Sequence, residues 1–210
     1  MRFLIMSDTH GLVQPVSDIV RDHPVDYILH AGDSEMVVNH ALFRQMIMVR
    51  GNMDRDLTLQ PMRLLRTQGL LLLLVHGHEH GVKHDLLRLK LLAKEYDARI
   101  VVYGHTHRPG YMLEEGILYV NPGSLARPRG YPDPTYVLMD VHPLQRETEE
   151  VGKDEARKDQ ARKEHSKRKG QGRIIDSGKQ DHPGWDVRID YYDLNGRKKP
   201  DLSGSVVLWN

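Results

Sequence analysis

The chain of 210 residues contains no cysteine. This absence excludes disulfide bonds, thiolate metal sites and a cysteine nucleophile. Histidine, carboxylate and amide oxygen remain as strong metal ligands, so any bound metal would have a nitrogen and oxygen shell. The chain is nevertheless long enough to bury a core without cross-links.

The sequence also lacks long apolar runs and a strong net charge. The longest apolar run, Leu70–Val75, is too short to cross a bilayer, and Asp8 comes too early for the apolar core of a signal peptide. We therefore expect a cytoplasmic protein without membrane contact. A formal net charge of +1 provides no general attraction for nucleic acid. Histidine, by contrast, is abundant, with 13 copies.

Short apolar runs alternate with helical patterns from residue 1 to about 141. Strands are predicted at Arg2–Met6, Tyr27–Leu29, Ile47–Val49, Leu70–Val75, Ile100–Tyr103, Ile117–Val120 and Tyr136–Met139. Helices are predicted at about 14–22, 34–44 and 82–97. The alternation is typical of an α/β fold.

The composition changes near residue 145. Between 145 and 173 the apolar residues are Val151, Ala156 and Ala161, too few for the segment to pack on a core. Alternating residues after Asp186 and the final SVVLWN then predict further strands. We expect a core at 1–144, a charged helical or disordered insertion at 145–184, and strands at 185–210 that complete the same domain.

Polar residues follow each of the first five strands, in the motifs SDTH, HAGD, RGNMD, HGHEH and GHTH. Open α/β sheets bind their ligands at the carboxyl ends of strands. Residues i and i+2 of an extended chain point the same way, so the paired residues of DTH and of GHTH should face one cavity. The candidate ligands are Asp8, His10, Asp33, Asn52, His76, His105 and His107.

Seven ligands are too many for one zinc ion and suit two metals. Two metals about 3.5–4 Å apart clamp a phosphoryl group and lower the pKa of a water between them. Two divalent cations facing two carboxylates keep a surplus of positive charge, which suits an anionic phosphate ester. The mixed shell favours manganese and leaves nickel, iron and zinc open.

The order DxH, GD, GNxD, HGH and GHTH resembles the calcineurin-like metallophosphoesterase superfamily, and in particular its compact YfcE-like bacterial and archaeal phosphodiesterases. The resemblance extends to about residue 141 and includes YVNPGSLARPRG. It implies a sandwich of two mixed β-sheets flanked by helices, and hydrolysis of a small phosphodiester by in-line attack of a hydroxide held by both metals. The implied first metal binds Asp8, His10 and His107, the second binds Asn52, His76 and His105, and Asp33 bridges both.

The third motif departs from many relatives, in which a histidine follows the asparagine and protonates the leaving group. Met53 occupies that position here, as in other compact members, and a thioether donates no proton. We therefore expect leaving groups of low pKa to react best, with His78 as a candidate proton source. Asp33, Asn52 and His76 are the expected catalytic residues, acting through the metals.

The resemblance places the NPGS loop beside the site. Substrate contacts are expected from Asn52, Met53, Asn121, Ser124 and Arg127. The residues alone also allow plainer interpretations, since Asn121 and Ser124 could form only a tight turn and Arg127 could be a surface charge.

Two other functions compete with this interpretation. A retromer subunit of the same fold works as a protein-binding scaffold, and the charged insertion could dock a partner in the same way. A nuclease is the third alternative, which the absence of a continuous basic and aromatic track argues against. Oligomeric state is left open, although relatives are often dimers or larger.

Overall fold

The computed structural model describes residues 1–36, 41–145 and 183–210. Apart from its ends, the predicted charged insertion at 145–184 lies outside these residues. Within them the strands are β1 (Arg2–Met6), β2 (Tyr27–His30), β3 (Met46–Met48), β4 (Met62–Thr67), β5 (Leu70–Val75), β6 (Ile100–Val102), β7 (Gly110–Glu114), β8 (Ile117–Asn121), β9 (Thr135–Pro143), β10 (Gly184–Asp193) and β11 (Gly204–Trp209). The α-helices are α1 (Val13–Asp22) and α2 (Leu87–Tyr96). Neither helix is long and apolar enough to span a membrane.

The strands form two mixed sheets. The first has the order β11-β10-β9-β1-β2-β3, in which β1, β2 and β3 are parallel and the other pairs are antiparallel. The second has the order β4-β5-β6-β8-β7, in which β5, β6 and β8 are parallel. The predicted fold, a sandwich of two mixed sheets with flanking helices, is therefore confirmed. The C-terminal strand β10 pairs with the whole of β9 through its residues Trp185 to Asp193.

The side-chain alternation of the strands builds three apolar layers. In β5, Leu70, Leu72 and Leu74 enter the core between the sheets, whereas Leu71 and Leu73 pack on the α2 side of the second sheet. The central strand β1 likewise sends alternate side chains to the inner core and to the layer beneath α1. Both faces of these strands are buried, which explains their continuous apolar sequences.

Several predicted elements differ from the structure. Strands β4 and β7 were not predicted, because each is an edge strand with a largely exposed face and a weak apolar pattern. The helix predicted at 34–44 is wrong in the described part, where Ser34–Met36 is irregular and Ala41–Gln45 is a short 3-10 helix. The third predicted helix begins later, at Leu87, whose N–H donates to the Asp85 carboxylate (3.0 Å).

Candidate metal centre

The loops that follow β1, β2, β5 and β6 meet at one edge of the sandwich. In the first sheet, the Asp8 N–H donates to Gly32 O (3.0 Å) and the His10 N–H donates to Asp33 O (3.1 Å). In the second, the Gly104 N–H donates to His76 O (3.1 Å). The two sheets are joined where the His105 N–H donates to Asp8 Oδ2 (3.1 Å). Loops distant in sequence therefore share one hydrogen-bonded edge.

Two groups of potential ligands lie at this edge. Asp8, His10 and His107 each present one ligand atom, and these atoms lie within 4.8 Å of one another. Asp8, Asp33 and His76 form a second group by the same measure. Asp8 belongs to both groups, whereas the family resemblance assigns the bridging position to Asp33.

The rings of the four histidines in the predicted ligand set lie in two close pairs. The ring centroids of His10 and His107 lie 5.3 Å apart, and those of His76 and His105 lie 5.1 Å apart. In the predicted ligand set, the first pair is assigned to one metal and the second pair to the other. Asn52, the seventh predicted ligand, is exposed on the neighbouring loop, where the Met53 N–H donates to Asp33 Oδ1 (2.7 Å).

Hydrogen bonds determine which ring nitrogen of two histidines faces the cluster. His76 Nδ1–H donates to Ala31 O (2.7 Å), and His107 Nδ1–H donates to Arg127 O (2.7 Å). A neutral ring with its proton on Nδ1 presents the Nε2 lone pair on its other side. Metal-binding histidines usually hold the second nitrogen in this way, and the pairing of His10 Nδ1 with Glu35 follows the same rule.

The lone pairs face carboxylate oxygens. His107 Nε2 lies 3.1 Å from Asp8 Oδ1, and His76 Nε2 lies 3.4 Å from Asp33 Oδ2. Among the described residues, Asp8 Oδ1, His10 Nε2 and His76 Nε2 are buried without a hydrogen-bond partner. Acceptors that face one another at this distance require a proton or a cation between them. The residues therefore fit a cation.

The electrostatics support the same conclusion. Burial raises the pKa of Asp33, but a protonated His76 ring, through its N–H and its charge, outweighs burial and, with the Met53 N–H, lowers the pKa to about 2. Burial also raises the pKa of Asp8, and His107 and His76 reverse the shift, so that the pKa is lowered. For His76 burial lowers the pKa, whereas Asp33 and Asp8 prevail and raise it. Both carboxylates are thus ionised at neutral pH, and His76 can hold a proton where a cation would otherwise lie.

The backbone at five of the seven predicted ligands is left-handed. Asp8, His10, Asp33, His105 and His107 have φ values of 52°, 42°, 52°, 66° and 60°. This conformation is unfavourable for residues other than glycine, and such residues concentrate at functional sites. The extended geometry expected for DTH and GHTH is therefore wrong, because each motif turns immediately after its strand ends.

Two motif glycines allow the loops to approach each other. A Cβ atom at Gly51 would lie 2.1 Å from Asp33 Oδ1, and one at Gly104 would lie 2.0 Å from Ser7 Oγ and 2.7 Å from Asp8 Oδ2. Any side chain at either position would displace a predicted ligand or its neighbour.

The NPGS loop supports two of the predicted ligand loops through side-chain hydrogen bonds. Asn121 Nδ2 donates to Gly104 O (3.1 Å) and to Thr106 Oγ1 (3.0 Å). Ser124 Oγ donates to Asp8 O (2.7 Å). Both side chains are buried, so their observed role is to position the loops, which differs from the substrate contact expected of them. Arg127 is exposed, and its carbonyl oxygen is the acceptor for His107.

Three further residues lie beside the cluster. The ring centroid of His78 is 5.3 Å from that of His76, and burial lowers the pKa of His78. Its suggested role as a proton source stays a prediction. Glu35 and Asp54 were not identified from the sequence, although Glu35 contacts His10 and Asp54 is the last residue of GNMD. The available signals were the place of Asp54 within its motif and that of Glu35 two residues after HAGD.

Comparison with known proteins agrees with this geometry. Residues 1–143 match the model of the calcineurin-like phosphoesterase superfamily domain. A probable metallophosphoesterase of Bacillus subtilis, YsnB, is 35% identical over 143 residues, which cover 67% of this chain and 85% of that protein.

Two solved structures share the fold at low sequence identity. A predicted phosphoesterase from Streptococcus pneumoniae has a TM-score of 0.73 and 24% identity, covering 98% of this chain and 97% of its own. Vps29 from Entamoeba histolytica, solved in complex with Zn²⁺, has a TM-score of 0.64 and 18% identity, covering 99% of both chains. From its motifs, its fold and the family match over residues 1–143, the chain belongs to the calcineurin-like phosphoesterase superfamily, a family of metal-dependent phosphoesterases.

Proposed function

We propose that this protein is a phosphodiesterase that uses two divalent cations, with manganese as the first choice and nickel, iron or zinc as alternatives. The observation that carries the proposal is the facing of histidine lone pairs and carboxylate oxygens, His107 against Asp8 (3.1 Å) and His76 against Asp33 (3.4 Å). When bound, divalent cations supply Lewis acidity and activate water. The predicted ligand set is the seven residues Asp8, His10, Asp33, Asn52, His76, His105 and His107.

The protein's own contribution is to hold these groups in a fixed geometry. The Ala31 and Arg127 carbonyl oxygens orient the rings of His76 and His107 (2.7 Å each). The lowered pKa values keep Asp8 and Asp33 ionised, so the predicted site needs no proton release from them at neutral pH. Two carboxylates among seven ligands leave the occupied site positive, which favours an anionic phosphate ester.

A cavity of about 450 Å³ beside the predicted site supports a small organic ester as substrate. Its walls combine the apolar side chains of Met36, Met53 and Leu59 with the cation of Arg55 and the carboxylates of Glu35, Asp54 and Asp56. Glu35 joins the cavity to the site, since it lines the cavity and also contacts His10. Thioethers pack well against aromatic rings, so an aryl or similar flat ester group suits these walls.

The test is hydrolysis of bis-p-nitrophenyl phosphate with added Mn²⁺. We expect Asp33→Asn and His76→Ala to abolish activity, because each removes a ligand atom from the centre of the cluster. His142→Ala is the matched control, since His142 is exposed near the end of β9. Full activity in either ligand variant, after titration with metal, would refute the proposal. Repeating the assay with Ni²⁺, Fe²⁺ and Zn²⁺ identifies the preferred ion.

The structural similarity to Vps29 favours one second candidate, a protein-binding scaffold. Metal content alone does not separate the two functions, because that Vps29 structure itself contains Zn²⁺. Catalysis does separate them, so a metal-loaded protein that hydrolyses no phosphodiester would support the scaffold. Single-stranded DNA and RNA in the same substrate panel test the nuclease alternative, and size-exclusion chromatography tests for a homodimer or higher oligomer.

A further inference from the structure

The carboxylate of Asp54 is surrounded by hydrogen-bond donors from two predicted ligand loops. Its Oδ2 atom accepts the N–H groups of Asp33 (2.9 Å) and Gly51 (2.8 Å). Its Oδ1 atom accepts Ser34 Oγ–H (2.9 Å) and the Glu35 N–H (2.8 Å). A carboxylate has about four lone-pair sites, so these bonds use its whole accepting capacity. Asp54 therefore has no lone pair left for a cation.

The segment that Asp54 binds has a strained backbone. Asp33 and Glu35 have φ values of 52° and 48°, which are unfavourable for residues with side chains. The local sequence instead predicts a helix there, from 34 to 44. The backbone N–H groups of Asp33 and Glu35 both point at Asp54, and their bonds to its carboxylate offset the cost of this turn.

The turn in its observed form presents two groups to the predicted centre. The Asp33 carboxylate lies 3.4 Å from His76, and the Glu35 carboxylate binds the ring of His10. A relaxed turn would move both carboxylates, and with them one predicted ligand and the orientation of another.

Building on the proposed function, we propose that Asp54 is a positioning residue. It holds the Asp33–Glu35 turn so that Asp33 and His10 are preorganised for divalent cations, and it does not bind a cation itself. Loss of this contact should lower the affinity for cations and leave the rate of hydrolysis at saturating cation largely unchanged.

The test is Asp54→Asn, with Mn²⁺ affinity measured by isothermal titration calorimetry. Asparagine keeps the shape but replaces one oxygen by an NH₂ group, which faces at least one backbone N–H in either amide orientation, since among the four donors only the Ser34 hydroxyl can turn to accept. We expect Mn²⁺ affinity to fall about 10- to 100-fold. The rate of bis-p-nitrophenyl phosphate hydrolysis should recover at saturating Mn²⁺, with KM little changed.

Asp193→Asn is the matched control. Asp193 is buried, whereas Asp54 is half-buried, and it likewise braces a turn, since its Oδ1 accepts the N–H groups of Asn195 (2.9 Å) and Arg197 (3.0 Å). That turn follows β10 and contains none of the predicted ligands. A purely structural role for Asp54 predicts that both variants lower the melting temperature and leave Mn²⁺ affinity unchanged.

A folded Asp54→Asn protein with wild-type Mn²⁺ affinity would overturn the inference. If that variant fails to fold, Ser34→Ala replaces it. It removes the Ser34 donor to Asp54 and a long contact with the Met36 N–H (3.5 Å), and it should weaken Mn²⁺ binding a few-fold. Unchanged affinity there also overturns the inference. A wild-type protein that binds Mn²⁺ but cleaves no phosphodiester would refute the proposed function alone. The inference about Asp54 would stand, since it is tested by the Mn²⁺ affinities of wild type and Asp54→Asn. A wild-type protein that binds no Mn²⁺ would refute both.

Discussion

Protonation of His30 should destabilise the fold in mildly acidic solution. Its fully buried ring, at the end of β2, accepts the Gly32 N–H on Nδ1 (3.2 Å), so Nε2–H donates to Thr9 Oγ1 (3.0 Å). These bonds join the DTH and GD loops and require the neutral ring. A second proton would oppose the N–H of Gly32, and burial lowers the pKa of His30 to about 4.

The magnitude follows from the two pKa values of His30. Between its ordinary pKa of 6.5 and the folded value of about 4, the unfolded chain takes up a proton that the folded chain excludes. Stability is therefore full above about pH 6.5 and falls as the pH decreases toward about 4. The whole shift corresponds to about 3 kcal/mol, of which about 2 kcal/mol is lost by pH 5.

Urea denaturation at about pH 7.5 and about pH 5, in the presence of EDTA, measures this loss. Wild-type protein and His30→Gln should differ by about 2 kcal/mol in how far their free energies of unfolding fall between the two pH values. The exposed His142 provides the control, since His142→Ala should retain the wild-type pH dependence. Equal pH dependence in wild type and His30→Gln would refute the reasoning.

Three further changes probe the core, the loop contact and the substrate cavity. Leu72→Ala in the inner core should lower the free energy of unfolding by about 2–5 kcal/mol in urea denaturation. Leu64 on β4 is 40% exposed, so Leu64→Ala should lower that free energy by much less. Equal losses in the two variants would contradict the packing described. Gly104→Ala should weaken Mn²⁺ binding measured by calorimetry, because its Cβ would lie 2.0 Å from Ser7 Oγ, and unchanged affinity would show that the loops adjust freely. Met53→His adds an imidazole proton donor and should raise kcat/KM for alkyl relative to p-nitrophenyl phosphodiesters; a constant ratio would exclude a role in leaving-group protonation.

The buried strands were predictable because their sequences are apolar on both faces. Leu70–Val75 has one side in the inner core and the other against the α2 layer, so a continuous run marks it clearly. Met62–Thr67 is an edge strand whose exposed positions carry Arg63 and Leu64, and its pattern is correspondingly weak. The apolar pattern of a single sequence indicates which segments are buried. An edge strand buries few side chains, so its pattern is weak.

The sequence predicted several of the residues that the structure brings together at the candidate site, and less of what supports them. Order and spacing of the motifs identified Asp8, His10 and their counterparts as candidates. The turn after Asp33 depends on Asp54, which lies 21 residues away in sequence from Asp33. The braces Asn121 and Ser124 act through backbone contacts across loops. Hydrogen bonds between distant segments leave no periodic trace in a sequence, so these roles required the structure.

The predicted ligands are divided between the two layers of the sandwich. Asp8, His10 and Asp33 follow strands of the first sheet, whereas His76, His105 and His107 follow strands of the second. In the proposed function, a bound cation would therefore cross-link the layers, as disulfides do in small secreted domains. Part of the binding free energy would then be folding free energy, and the unfolding midpoint would rise with the concentration of free metal.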